Sequence, residues 1–248
     1  MRGTMEWLYG RNPVYEALRS GRRQFTTLRI ADNVQLKGRV NQIRELAVAQ
    51  SIAIEKVPRE KLDQIVSHNQ GVALAADDYP YGDVADILDL AAAREQAPFL
   101  LILDTLQDPQ NLGSLLRTAE IVGVHGVILP HRHTATVTPA VVNASSGACE
   151  HLLIAQGNLA QTIKALKQND VWVVGLDGGQ EAQAPDKIRL EGSIALVVGN
   201  EGEGMRRLVR ESCDHLMRLP MRGQVASLNA AVAGSVALYL AWQARSYL

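Results

Sequence analysis

Cysteine is scarce in this chain: two residues in 248, Cys149 and Cys213, 64 positions apart and in no C-x-x-C pair. That excludes a zinc or iron–sulfur framework and a disulfide scaffold, and two lone thiols suit a reducing compartment. Long apolar runs are missing as well. The longest, Ala230 to Trp242, covers 13 residues and contains Gly234 and Ser235, whereas a membrane span needs about 20. Met1 to Gly10 has no apolar core of signal-peptide length, so the expectation is a soluble cytoplasmic protein with no membrane partner. Neither sign of charge dominates: 25 Lys and Arg face 26 Asp and Glu, for a net −1, which excludes a generally polybasic protein. What is present is ordinary globular material, 47% hydrophobic and 21% charged, long enough for one large domain or two unequal ones. The charge is unevenly placed, however. Residues 1–76 carry 12 basic and 7 acidic side chains, net +5, and the remainder is net −6, which suggests that the front end meets something anionic.

The front segment alternates helix and strand patterns. Asn12-Pro13 reads as a helix start with Asn12 as N-cap, and strands are expected over 27–31, 52–57 and 71–76, with helices over 40–50 and 59–66. A small α/β domain over residues 1–76 follows. Asp77 to Asp83 is a polar, turn-rich break, and residues 77–97, with a short helix over 85–94, are expected as the linker. Residues 98–248 then alternate regularly. Strands are expected over 99–104, 126–130, 151–155, 171–177, 194–199 and 216–221. Helices are expected over 111–122, 139–147, 158–169, 205–212 and 227–246. Phe99 to Asp104 is apolar on both faces until its last residue, as the middle of a parallel sheet requires. A mostly parallel, doubly wound α/β domain is the architecture that periodicity supports.

Three polar clusters stand at the carboxyl ends of expected strands, where open α/β sheets bind ligands. The first runs from Asp104 through Asn111 to Arg117-Thr118; its plainest reading is a loop with Asn111 as N-cap and Arg117 solvated. The second, Val197-Val-Gly-Asn-Glu-Gly-Glu-Gly-Met205, puts Gly199, Gly202 and Gly204 directly after a buried strand. Its spacing is neither G-x-G-x-x-G nor a P-loop, and Glu201 and Glu203 would repel a phosphate, so a cationic or polar ligand suits it. The third, Leu219-Pro-Met-Arg-Gly-Gln-Val-Ala-Ser227-Leu-Asn229, leads into a helix that Ser227 would cap. Small residues from Ala230 to Ser235 leave room for a close neighbour, either the protein's own sheet or another subunit. His131 and His133 form an H-x-H pair without a completing ligand, so no metal is expected. Arg206, Arg207 and Arg210 make a basic helix face that is either solvated or RNA-facing. No Ser-His-Asp order or G-x-S-x-G elbow is present.

Taken in order, N-L-G-x-x-x-R-T, V-V-G-N-E-G-E-G-M and L-P-M-x-G-x-V-A-S-L-N resemble the three motifs of the SpoU (TrmH) family of RNA ribose 2′-O-methyltransferases. Tyr9-Gly-Arg-Asn-Pro-Val-Tyr-Glu-Ala-Leu18 resembles the substrate-binding domain of the same family, which has a ribosomal-protein-like fold. The whole chain is most similar to members that methylate a guanosine ribose in 23S ribosomal RNA. The resemblance implies a SPOUT-type α/β domain with a deep trefoil knot, S-adenosylmethionine as methyl donor, ribosomal RNA rather than DNA as partner, and a homodimer. It implies that Gly199, Leu219, Met221, Ser227 and Leu228 bind the cofactor. It also implies that Arg117 approaches the target hydroxyl, with Asn111, Glu201 and Asn229 orienting it and the ribose. Two alternatives stay open at this point: a tRNA ribose methyltransferase of the same family, and a non-catalytic RNA-binding module.

Overall fold

The structure is a computed structural model that describes residues 5–225 and 227–247; Met1–Thr4 of the N-terminal segment and Ala226 of the third motif lie outside the described residues. Two units divide the chain: Met1–Pro80 with Thr136–His151, and Tyr81–Ala135 with Leu152–Leu248. The first contains β1 (Glu6–Tyr9), α1 (Arg11–Ser20), β2 (Phe25–Ala31), α2 (Arg39–Ala49), β3 (Ala53–Val57), α3 (Arg59–Asp63) and β4 (Val72–Ala76). Its sheet has the order β1-β4-β2-β3, with β2 and β3 parallel and the other pairs antiparallel. β1 is absent from the sequence expectation because four residues are too few for alternation to register. It forms by pairing with β4, which places Leu8 opposite Leu74 and buries both. The cap of α1 also differs from expectation. Gly10, at φ +87°, precedes the helix and Asn12 lies inside the first turn. Only glycine fits at position 10, since a Cβ there would stand 2.9 Å from Asn143 Nδ2 in a backbone conformation unfavourable to other residues.

The second unit starts with α4 (Val84–Ala93), β5 (Phe99–Leu103), α5 (Pro109–Ile121) and β6 (Gly126–Pro130). The chain then passes through α6 (Pro139–Ala144), which belongs to the first unit, and continues with β7 (Leu153–Gly157), α7 (Leu159–Gln168), β8 (Trp172–Leu176), β9 (Ile194–Val198), α8 (Arg207–Ser212), β10 (His215–Met217) and α9 (Ala230–Ala244). All six strands are parallel, in the order β10-β8-β9-β5-β6-β7. β5 (FLLIL) and β9 (IALVV) lie side by side at the centre, buried along their whole length; a strand covered on both faces has no use for alternation. From β5 the chain walks outward through β6 to β7. It then crosses to the far side, where β9 inserts between β8 and β5, and β10 closes the other edge. The carboxyl ends of β10, β8, β9 and β5 therefore stand in a row. α4, expected within a linker, instead buries Ile87 and Ala91 and packs on β7. α9 packs on α5 and β9. There Gly234 permits the approach, because a Cβ would fall 2.6 Å from Leu115 Cδ2, so the small residues of this helix serve the protein's own core.

Thr136–His151, expected inside the second domain, is placed with the first unit. α6 packs on β1, and the 3₁₀ turn Ala148–His151 packs on α1. The tie is ionic as well as apolar. Glu150 and Arg23 are both fully buried and meet through Nη2–Oε1 at 2.8 Å and Nε–Oε2 at 3.1 Å, with the guanidinium 4.9 Å from the Tyr79 ring. Burial pushes the Glu150 carboxyl above the usual carboxylate range, against the pull of Arg23. No periodicity announces a pair 127 residues apart.

Candidate active site

A cavity of ≈ 370 Å³ opens where the carboxyl ends of β8, β9 and β10 meet the start of α9. Leu176, Asp177 and Gly178 follow β8; Gly199 to Gly204 follow β9; Arg218, Leu219 and Met221 follow β10; Ser227, Leu228 and Ala230 lead into α9. All five residues expected to hold a cofactor, Gly199, Leu219, Met221, Ser227 and Leu228, line it. Among the described residues its ionic lining is three carboxylates, Asp177, Glu201 and Glu203, against one cation, Arg218. A positively charged ligand is favoured there, and the apolar walls from Leu176, Val198, Met217 and Met221 suit one with a hydrophobic body.

The glycine loop after β9 holds itself in shape. Asn200 and Gly204 exchange two backbone hydrogen bonds, at 3.1 and 3.2 Å, while Asn200 Oδ1 accepts from the backbone N–H of Gly202 at 2.8 Å and Glu203 at 2.9 Å. Gly199 sits under this turn. A Cβ on it would lie 2.2 Å from Gly204 C and 2.3 Å from Met205 N, so its bareness is required first by the loop's own backbone, not by a ligand. The loop's far end is anchored by Asp104, fully buried at the end of β5, which accepts from Arg206 N and Nε, both at 2.7 Å.

Three of the four expected catalytic residues come together at the rim. Asn111 Nδ2 donates to Glu201 Oε1 at 2.8 Å. Asn229 Nδ2 donates to Asn111 Oδ1 at 3.1 Å and also to Glu201 Oε1. The helix cap expected of Asn111 is supplied by Asp108, which accepts from Gln110 N at 3.1 Å, and this frees Asn111 for the cluster. The cap expected of Ser227 is supplied by Asn229, whose Oδ1 accepts from Ala231 and Val232 and whose amide reaches the cluster. Arg117 stands apart. It is exposed on α5 and does not line the cavity, being six residues beyond Asn111, hence ~9 Å along the helix and about a third of a turn around it.

Other sequence candidates take different roles. Arg206 ties to Asp104, and Arg210 to Asp177 and Glu181 at 2.8 and 3.0 Å, so two of the three arginines on the expected basic face fix loops. Burial pushes both cysteine thiols up to about 12, which leaves no thiolate nucleophile near neutral pH. Among the described residues, no group of three or more His, Cys, Asp or Glu could hold a metal ion. Sequence reasoning missed the loop after β8 and the Asp104 anchor. The signal for the former was present: Asp177-Gly178-Gly179 closes an apolar strand just as the other clusters do.

With a parallel α/β sheet that forms a ligand cavity at its strand ends, preceded by a small mixed-sheet unit, the chain is similar to a class of RNA methyltransferases. Residues 98–239 match the SpoU rRNA Methylase family and residues 7–82 match the family described as RNA 2′-O ribose methyltransferase substrate binding. YacO of Bacillus subtilis (strain 168), assigned by name to the TrmH family of tRNA/rRNA methyltransferases, is 44% identical over 97% of this chain and 96% of its own. Among solved structures, the AdoMet-bound rRNA methyltransferase from Sinorhizobium meliloti matches with a TM-score of 0.79 at 25% identity, over 96% of this chain and 87% of that one. The SpoU methyltransferase AviRb from Streptomyces viridochromogenes, in complex with AdoMet, has the same fold, with a TM-score of 0.79 at 23% identity over 96% and 89% of the two chains. The chain belongs to the SpoU/TrmH family of RNA methyltransferases.

Proposed function

We propose that this protein uses S-adenosylmethionine to methylate the ribose 2′-oxygen of a guanosine in 23S ribosomal RNA, acting in the cytoplasm as a homodimer. The observation that carries the reading is the convergence of all five expected cofactor residues on one acidic-lined cavity, with the Asn111–Glu201–Asn229 cluster on its rim. Bound S-adenosylmethionine would supply a methyl group on a sulfonium, which the ribose oxygen would take by in-line attack as the neutral thioether leaves. Its cationic centre suits Asp177, Glu201 and Glu203, while Leu219, Met221 and Leu228 hold its apolar body. Glu201 Oε1 is occupied by the two amides, whereas Oε2 has no hydrogen-bond partner among the described residues and is an acceptor for a ribose hydroxyl. Asn111 and Asn229 fix the rotamer of that carboxylate. A guanidinium holds its proton too firmly to act as an ordinary base; the role of Arg117 is to hold a phosphate and stabilise the developing alkoxide.

Ribosomal RNA is favoured over transfer RNA because the likeness to the Sinorhizobium meliloti rRNA methyltransferase extends over 96% of the chain, front unit included. The dimer reading rests on α9, which exposes Val232, Val236 and Tyr239 at helical spacing, an apolar strip that a second copy would cover. The knot expected for the family is consistent with a chain that leaves β10 at one edge and returns to pack α9 against α5 and β9 in the middle of the sheet. Among the described residues no helix is long and apolar enough to cross a membrane. Ribose-methylation maps of ribosomal and transfer RNA from cells with and without the protein test the reading. Loss of one 2′-O-methylguanosine from 23S RNA is expected; a loss confined to transfer RNA would overturn the substrate.

A further inference from the structure

A second cavity, of ≈ 470 Å³, opens at the carboxyl ends of β6 and β7 in the same unit. Three segments line it: Pro130 to His133 after β6, Gly157 to Ala160 at the start of α7, and Arg206 to Val209 at the start of α8. Its charge is the reverse of that in the first cavity. Arg132, Arg206, Arg207, His131 and His133 line it, and among the described residues no carboxylate does.

The individual groups are disposed to receive an anion. Arg132, His131 and His133 are exposed and have no hydrogen-bond or ionic partner among the described residues. Arg206 commits its backbone N–H and Nε to buried Asp104, which fixes the guanidinium while 47% of the side chain stays exposed. Its two Nη groups have no partner among the described residues. Arg207 is paired only with Glu211, one turn on and with both side chains largely in water, a pairing of little strength. α7 starts at this wall, with Asn158 as its cap. The first-turn N–H groups of a helix lack intrahelical acceptors and carry the positive end of its dipole.

A metal ion does not suit the site, since two imidazoles lack a third ligand and three guanidinium groups repel a cation. Among the described residues no Phe, Tyr or Trp lines the cavity to stack a base. Phosphate fits, through planar guanidinium forks and a helix amino terminus. Position narrows the ligand further. Arg206 directly follows Gly204 and Met205 at the end of the loop that forms the first cavity, so both cavities lie on one strand-end edge and share one anchor, Asp104. We infer that the second cavity holds the phosphate backbone of the RNA strand, a short distance along the chain from the ribose that is methylated. This rests on the reading of the first cavity given above.

The test uses the full-length protein, a short oligouridylate as backbone probe and fluorescence anisotropy between ~50 and ~200 mM salt. Arg132→Ala removes a partnerless surface charge; Arg189→Ala removes an exposed charge elsewhere in the same unit and serves as control. For single strands each phosphate contact contributes about 0.7 to the log–log salt slope. Arg132→Ala is therefore expected to bind several-fold more weakly at low salt, with a deficit that shrinks about threefold across that range. Arg132→Glu is expected to bind more weakly still, and Arg189→Ala to match the wild type. S-adenosylmethionine affinity by calorimetry stays unchanged in all three. If the wild type binds cofactor and RNA but Arg132→Ala keeps its affinity and slope, or Arg189→Ala loses as much, the inference is overturned alone. A wild type that binds neither overturns the underlying reading with it.

Discussion

Replacing Gly199 by alanine tests why the second motif needs its first glycine. The added carbon would lie 2.2–2.4 Å from Gly204 C, Met205 N and Gly204 O. These are backbone atoms held by the paired Asn200–Gly204 hydrogen bonds, with Arg206 next along tied to Asp104, so no flexible side chain can yield. Overpacking of this kind costs about 1–3 kcal/mol, or roughly 2–12 °C in Tm at 2–4 °C per kcal/mol for a chain this size. Gly202 is the internal control. A Cβ there meets only Asn200 Oδ1 at 3.8 Å, ordinary contact, so Gly202→Ala is expected within ~0.5 kcal/mol of wild type. Thermal melts by circular dichroism and S-adenosylmethionine titration by calorimetry read the two consequences. Gly199→Ala should lose stability and affinity together, because the same displaced loop forms the cavity wall. Weakened cofactor binding at unchanged Tm would show that the glycine makes room for the ligand instead, and an unchanged Tm and affinity would refute the clash altogether.

Arg117→Ala and Arg117→Lys are both expected to lose methyl transfer by about a hundredfold or more in single turnover, since lysine lacks the planar fork, while cofactor affinity holds; near-wild-type turnover in either would remove Arg117 from the chemistry. Asn229→Ala should lose about 1 kcal/mol with the α9 cap. Asn229→Ser should keep the cap yet lose roughly ten- to a hundredfold in rate with the bridge to Glu201 and Asn111; equal rates in Ser and wild type would make the residue a cap only. Val236→Glu puts a charge on the exposed strip of α9 and should yield monomers by sedimentation equilibrium, an outcome that unchanged dimers, or a monomeric wild type, would contradict. Arg23→Met strands the buried Glu150 carboxylate, at about 3–5 kcal/mol. Because burial already raises the Glu150 pKa, the neutral acid is reached on modest acidification, and the penalty should be smaller at pH 5 than at pH 7.5 in urea melts; a pH-independent penalty would point to packing instead.

The second unit was legible in sequence because its central strands are buried on both faces. Apolar runs such as Phe99–Leu103 and Ile194–Val198 suit the middle of a parallel sheet, and the polar clusters ending them mark the ligand edge. Strand order was not legible, since nothing local to Trp172–Leu176 says that β9 will insert between it and β5. Caps were misplaced where two residues compete for one task. Asp108 and Asn111 both suit a helix start, and only the position of Glu201, 90 residues away, shows which is released to the rim. The same holds for Ser227 and Asn229. The charge asymmetry at residue 76 led toward a cut that would separate Arg23 from Glu150, whose pairing appears only in three dimensions. Arg117 was legible both as part of a motif and as a solvated side chain, but its place outside the cavity lining was not.

The proposed reaction is methyl transfer to a ribose oxygen of guanosine in ribosomal RNA. Purified protein incubated with methyl-labelled S-adenosylmethionine and 23S ribosomal RNA lacking the modification, with transfer RNA as a parallel substrate, tests it directly after digestion to nucleosides. The label is expected in 2′-O-methylguanosine from the ribosomal RNA. Label on a base, in transfer RNA alone, or in neither RNA would contradict it.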